Sequence, residues 1–184
     1  MSKFSVVFMP DAATIEIIKQ MKLQLADKTG WFNSKNSLAH FTVFEFLEDD
    51  TNIQQVEKQL KRIASGIKPF DVLCDSFDYF DNGAFYTKPN KSSTEKMRSV
   101  MKVILAETNN IKKTITNTTP HLTIGRRLSS DQLQTAQKIF TEIHLSFEIQ
   151  YLTLRRFDEK IRQFVIYRDF PLLGNSKEIQ GSLF

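Results

Sequence analysis

Two histidines and two threonines recur at one spacing, and this constrains the chain more than any other feature. His40 stands two residues before Thr42, and His121 stands two residues before Thr123, 81 residues further on. The same offset lays Phe4 on Phe85, Val43 on Ile124, Phe70 on Tyr151 and Leu73 on Leu154. A chain that repeats strand, helix, His-x-Thr strand, helix and strand in both halves is expected to fold as a duplicated α+β structure. The expectation is one domain over 1–184, built from two pseudo-repeats at about 1–80 and 81–170, each with an antiparallel sheet and flanking helices around a central cleft.

The elements read as follows. KFSVVF (3–8) is an apolar strand. Residues 11–27 carry Ile15, Ile18, Met21, Lys22 and Leu25 near helical spacing, with Asp11 placed to cap the start. A polar loop leads to a strand at 39–47, and 52–65 places Ile53, Val56, Leu60 and Ile63 on one helical face before Gly66. Strands at 70–80 and 83–88 join through Asp81-Asn82-Gly83, where Asn-Gly predicts a type I′ turn. Ser92-x-x-Glu95 and Ser129-x-x-Gln132 are capping-box patterns opening two further helices. Between them a polar loop leads into HLTIGR (121–126). One long strand is expected at 146–157 and another at 162–170, paired through the turn at 158–160.

Side chains two apart on a strand share a face. His40 and Thr42 therefore project together, as do His121 and Thr123, away from the apolar face. Two imidazoles meeting across a pseudo-twofold axis suit phosphodiester cleavage. One accepts a proton from the attacking hydroxyl or water, and the other protonates the departing oxygen. The threonine hydroxyls beside them can bond the non-bridging phosphate oxygens. A zinc site would need further ligands in a His-Glu-x-x-His or Cys-x-x-Cys context, which the chain lacks, so neither a metal nor a cofactor is expected. Nucleotide-binding glycine loops and a serine-hydrolase elbow are also missing from the sequence.

The single cysteine, Cys74, excludes an internal disulfide and reads as a small buried hydrophobe. The net charge of +4 leans mildly toward an anionic partner. No secretory signal and no long apolar run is evident, so a cytoplasmic protein without membrane attachment is expected.

On HFTV (40–43), HLTI (121–124) and a closing strand ending in FPL (170–172), the chain resembles the 2H phosphoesterase superfamily, most of all its 2′-5′ RNA ligase and RNA 2′,3′-cyclic phosphodiesterase-like branch. The resemblance covers nearly the whole chain. It implies a bilobal fold and metal-independent phosphodiester chemistry, with His40 and His121 as acid and base and Thr42 and Thr123 as phosphate contacts. It also implies a substrate that is an RNA end or a small cyclic or 2′-5′-linked nucleotide. Hydrolysis of a 2′,3′-cyclic phosphate is the first expectation. Cleavage of a 2′-5′ bond, its reversal as RNA ligation, and a binding module without turnover are the alternatives. The near-symmetry leaves open which histidine is acid and which is base. A monomer is expected.

Further candidates for substrate contacts are Arg126, Arg155, Tyr167 and Trp31. Arg126 falls on the face opposite Thr123 unless the strand bends at Gly125. Arg155 and Arg156 give one arginine to each face of their strand. Tyr151 and Phe46 are candidates to flank the groove, with core packing as the competing role. Lys112-Lys113 and Lys58-Lys61-Arg62 read as solvated surface. His144, near a helix end, is read as non-catalytic.

Overall fold

The computed structural model describes residues 1–175. Nine strands and four helices follow one another among them. They are β1 (Ser2–Phe8), α1 (Ala12–Thr29), β2 (Phe41–Glu48), α2 (Ile53–Ser65), β3 (Phe70–Phe80), β4 (Ala84–Pro89), α3 (Lys91–Glu107), β5 (Lys113–Thr116), β6 (Leu122–Gly125), α4 (Ser130–Ile139), β7 (Leu145–Ile149), β8 (Tyr151–Asp158) and β9 (Gln163–Pro171). The strands form two antiparallel sheets of order β5-β2-β1-β8-β9 and β6-β4-β3-β7. This is the expected α+β bilobal arrangement.

The third strand of each half leaves its own half. β3 lies against β4, and β8 lies against β1. The helices cross over as well: α1 packs on β6 and α4, while α3 packs on β2 as well as β3 and β4. Apolar contacts close the seam between the sheets. Phe8 meets Phe70 edge-on at 5.7 Å between ring centres, and Phe41 meets Phe147 at 6.2 Å.

Local signals account for most boundaries. Asp11 accepts the Thr14 N–H at 2.8 Å to start α1, and Gly30, at φ 79°, ends it by donating to the Ala26 carbonyl. Ser129 and Gln132 form both bonds of the capping box that opens α4. The start of α3 departs from expectation. Asn90 caps it through the Ser93 N–H at 2.8 Å, and the helix begins ahead of Ser92 and Glu95.

Three other expectations change. Only Gly83 of the β3–β4 turn has positive φ, and its N–H bonds the Phe80 carbonyl at 2.9 Å. The connection is a three-residue loop ending in a left-handed glycine rather than a type I′ turn. The long strand expected at 146–157 breaks at Gln150: β7 pairs with β3 in one sheet and β8 with β1 in the other. The polar stretch before His121 contains β5, an edge strand on β2. Its Lys113, read as surface, instead donates to the Thr108 and Ile111 carbonyls and covers the Phe44 ring.

Candidate active site

Each motif strand carries a β-bulge at the same place. Thr42 stands opposite Val7 and Phe44 opposite Val6, so Val43 is the extra residue. Thr123 stands opposite Tyr86 and Gly125 opposite Phe85, so Ile124 is the extra residue. A bulge adds one residue without a partner and shifts the phase of everything after it. This is why Val43 and Phe44 are both buried, as are Ile124 and Gly125. The pairing also makes Val6, rather than Phe4, the counterpart of Phe85. The first strands therefore match at a slightly shorter offset than the motifs do.

The histidines sit at the threshold of these strands, immediately before β2 and β6. Their rings are held alike. His40 Nδ1 lies 2.6 Å from the Leu38 carbonyl, and His121 Nδ1 lies 2.7 Å from the Thr119 carbonyl. A carbonyl oxygen only accepts, so each Nδ1 is the donor, and each Nε2 is left with its lone pair for chemistry.

Each histidine's approach is braced on the other half's bulge. The Asn117 N–H, on the way to His121, donates to the Val43 carbonyl at 2.9 Å. The Ser34 hydroxyl, on the way to His40, donates to the Ile124 carbonyl at 3.3 Å. Asn117 Oδ1 also accepts the Thr119 N–H at 2.9 Å, which fixes the carbonyl that holds His121. On the other side, Lys22 reaches out of α1 to the Ser37 carbonyl at 2.7 Å, the Ser34 carbonyl at 3.1 Å and the Ser37 hydroxyl at 3.2 Å. Lys22 is only 1% exposed. It satisfies its three donors on the loop that delivers His40. In the sequence it is a polar residue within the helical pattern, and no short motif marks it, Ser34 or Asn117 as a site residue.

The floor of the groove differs between halves. On the side of His40, Arg155 acts on the imidazole through its charge; it is 2% exposed and stands opposite Ser5 of β1, whose hydroxyl accepts from the guanidinium at 3.3 Å. The Arg155 guanidinium also stacks on Phe164 at 5.1 Å. The corresponding place beneath His121 is taken by Phe80, which meets the imidazole edge-on at 5.1 Å, with Tyr86 at 5.2 Å. One imidazole therefore looks onto cations and the other onto aromatic rings.

Titration follows this difference. Burial, then the Arg155 charge, hold His40 well below its usual 6.5; the Leu38 bond opposes them, and the Lys22 and His121 charges add weaker downward effects. That His121 is among these charges places the two rings within electrostatic reach of each other. His121 is also lowered, by burial, with its Thr119 bond opposing. Burial lowers Arg155 to about 10, which leaves it cationic at neutral pH. Burial, with Arg155 adding to it, lowers Lys22 to about 8.

The remaining candidates scatter. Arg126 comes onto the Thr123 face because the bulge at Ile124 shifts the strand's phase, and its N–H bonds the Asn33 carbonyl at 3.2 Å. Tyr167 packs edge-on against Phe4 at 5.8 Å, on the side of the sheet opposite Ser5 and Arg155, so it lies away from the histidines. Phe46 is fully buried on that same side, stacked on Phe4. Trp31 is exposed on the loop after α1, and Tyr151 is exposed at the start of β8. Arg156 turns to the Asp50 carboxylate at 2.8 Å. Cys74 is buried, its thiol pushed up to about 12 by burial. Lys58 and Lys61 line a surface depression with Arg168. Among the described residues, no three His, Cys, Asp or Glu side chains gather as metal ligands, and no helix is long and apolar enough to cross a membrane.

Comparisons with known proteins agree with this architecture. The crystal structure of TT0787 of Thermus thermophilus superposes with a TM-score of 0.64 at 15% identity, covering 94% of this chain and 99% of that one. E. coli LigT in apo form gives 0.60 at 12% identity, covering 92% and 96%. E. coli LigT complexed with 3′-AMP gives 0.62 at 12% identity, covering 93% and 98%. No curated protein matches the chain in sequence. A family model described as "2'-5' RNA ligase superfamily" matches residues 9–161, which take in both histidines, both threonines and both bulges. The chain belongs to the 2′-5′ RNA ligase superfamily.

Proposed function

We propose that this protein is a metal-independent phosphodiesterase that opens 2′,3′-cyclic phosphates at RNA ends or in small nucleotides. The observation that carries the reading is the matched pair of imidazoles, each with Nδ1 tied to the carbonyl two residues upstream and Nε2 free. The E. coli LigT complexes with 3′-AMP, NADP+, phosphate and ATP lend support, since that fold accommodates nucleotides and phosphate.

The unequal floor favours one division of labour. His40, beside Arg155 and Lys22, gives up its proton more readily and is the base. Its Nε2 takes a proton from water as the oxygen attacks phosphorus. His121, against Phe80 and Tyr86, is the acid. It acts in its doubly protonated form: Nδ1–H stays on the Thr119 carbonyl, and the second proton, on Nε2, passes to the 2′ or 3′ oxygen as that P–O bond breaks, leaving a monoester and a neutral imidazole. Thr42 and Thr123 donate to the non-bridging oxygens, and the Arg155 charge favours the dianionic transition state. Each positioned acid or base typically contributes ~10²–10⁴-fold.

The test is a panel of 2′,3′-cyclic mononucleotides, cyclic-phosphate-ended RNA and 2′-5′ oligoadenylate, assayed with and without chelator. Cyclic phosphates should be opened at a rate that chelator leaves unchanged, with a bell-shaped dependence of kcat/KM on pH. Loss of activity restored by zinc, or turnover confined to the 2′-5′ oligomer, would reject this reading.

A further inference from the structure

We infer that Lys22 is a positioning residue of the candidate site: its ammonium reaches from α1 to the turn at 34–37 and fixes the segment that presents His40. The inference deepens the function proposed above and rests on that reading only for its kinetic readout.

A lysine is rarely buried unless a carboxylate pairs with it. Lys22 is 1% exposed, and among the described residues no carboxylate forms an ion pair with it. The nearby Arg155 charge is of the same sign and opposes it. What meets the ammonium is one turn of chain: the Ser37 carbonyl at 2.7 Å, the Ser34 carbonyl at 3.1 Å and the Ser37 hydroxyl at 3.2 Å. Ile18 and Leu25, one helical turn to either side, are fully buried. An apolar side chain at position 22 would complete that face without desolvating a charge. The fold instead buries a cation, and its only bonds go to the turn before His40. Local rules are broken in this way where a site requires it.

The turn needs a clamp. Ser34 stands in the left-handed region at φ 73°, a strained place for a side chain that persists only when its surroundings over-determine it. Its carbonyl accepts the Ser37 N–H at 3.0 Å and the Ser37 hydroxyl at 2.9 Å as well as the Lys22 ammonium. Its own hydroxyl donates to the Ile124 carbonyl at 3.3 Å, beside Thr123 of the second motif. Leu38 follows Ser37, and its carbonyl holds His40 Nδ1 at 2.6 Å. The shortest bond of the ammonium is thus made one residue before the carbonyl that orients the ring. Across the pseudo-twofold axis the same task falls to neutral groups. Asn117 donates its N–H to the Val43 carbonyl, and its Oδ1 accepts the Thr119 N–H. Only His40 depends on a buried cation, so removing that cation should displace one imidazole and spare the other.

Imidazole-nitrogen NMR of the full chain reads each ring separately. In Lys22→Met the His40 Nδ1–H signal should vanish as its exchange with water quickens, while that of His121 persists. Turnover of a 2′,3′-cyclic nucleotide should fall by up to ~10²-fold in kcat with KM little changed, because the ring is misplaced while Thr42 and Thr123 stay. Lys22→Arg, which keeps donors and charge, should restore most of both. Leu60→Ala, a truncation of the fully buried α2 leucine, controls for lost stability and should leave both signals and kcat in place. The wild type needs no variant to fold, and its Lys22 ammonium protons should exchange far more slowly than those of Lys58 or Lys61. Five results would overturn the proposal: both ring signals intact in Lys22→Met, both lost together, the same changes in Leu60→Ala, Lys22→Arg no better than Lys22→Met, or a fast-exchanging Lys22 ammonium. A wild type without turnover whose His40 signal is still lost in Lys22→Met would reject the catalytic reading and leave the positioning role standing. Turnover with that signal unmoved would do the opposite.

Discussion

The two imidazoles share an Nδ1 bond to the carbonyl two residues upstream and differ in their other surroundings, His121 alone having the Asn117 amide nitrogen 3.4 Å from Nδ1. Nδ1 is committed to a carbonyl in both, so the tautomer is set by backbone geometry. Burial lowers both, and Arg155 and Lys22 lower His40 further. Ring-proton NMR titration of the free protein should therefore give two values below 6.5, with His40 the lower. Replacing Arg155 with Gln should raise His40 more than His121, and equal movement of both would contradict this account of the floor. The placement of the four motif residues at equivalent strand starts was legible in the sequence, because a period of two and a long-range repeat both leave marks there. Lys22, Ser34 and Asn117 were not, since each acts on a backbone carbonyl far away in the chain. Tyr167 was a misleading candidate: an aromatic on a strand has two faces to choose from, and the bulge in β9 gives it to Phe4.

At the scale of elements, bulges decided what alternation alone could not. Strict alternation puts Arg126 behind the strand, and the extra residue at Ile124 brings it forward. The β5 edge strand was hidden because a short, polar segment looks like a loop until a partner is present. The break at Gln150 was hidden because β7 and β8 are both apolar and contiguous, and only pairing separates them. The link from α1 to the His40 loop carries its own pH signature. Lys22 has a native value of about 8 against 10.5 for an ordinary lysine. Between those values the unfolded chain binds more protons than the native one, so stability rises as pH climbs through that window. Urea unfolding of Lys22→Met should lack this rise, and the wild-type and variant curves should diverge between pH ~8 and ~10.5. Parallel curves would mean that Lys22 is not buried as a cation. The same variant leaves the Ser34 and Ser37 carbonyls without their donor, so it should lose stability at neutral pH, by ~1–3 kcal/mol.

Across the whole molecule, the exchange of third strands makes each half depend on the other. The first sheet takes β8 from the second half, and the second sheet takes β3 from the first. Each histidine's approach is likewise braced on the opposite bulge. A fragment comprising 1–82 should therefore fail to fold alone, and the two halves should recover structure only when mixed. A separately folded first half, read by far-UV circular dichroism and cooperative melting, would contradict this. The repeat and its element order were readable in the sequence. The exchange was not, because a repeat looks the same whether its last strand stays home or crosses over.

The most direct test of the central claim is a double-mutant cycle on turnover of a 2′,3′-cyclic nucleotide. His40→Ala and His121→Ala should each lower kcat by ~10²–10⁴-fold, and the double variant should be little worse than either single one, because acid and base act in the same step on one phosphorus. Full activity in either single variant, or losses that simply multiply, would contradict the account.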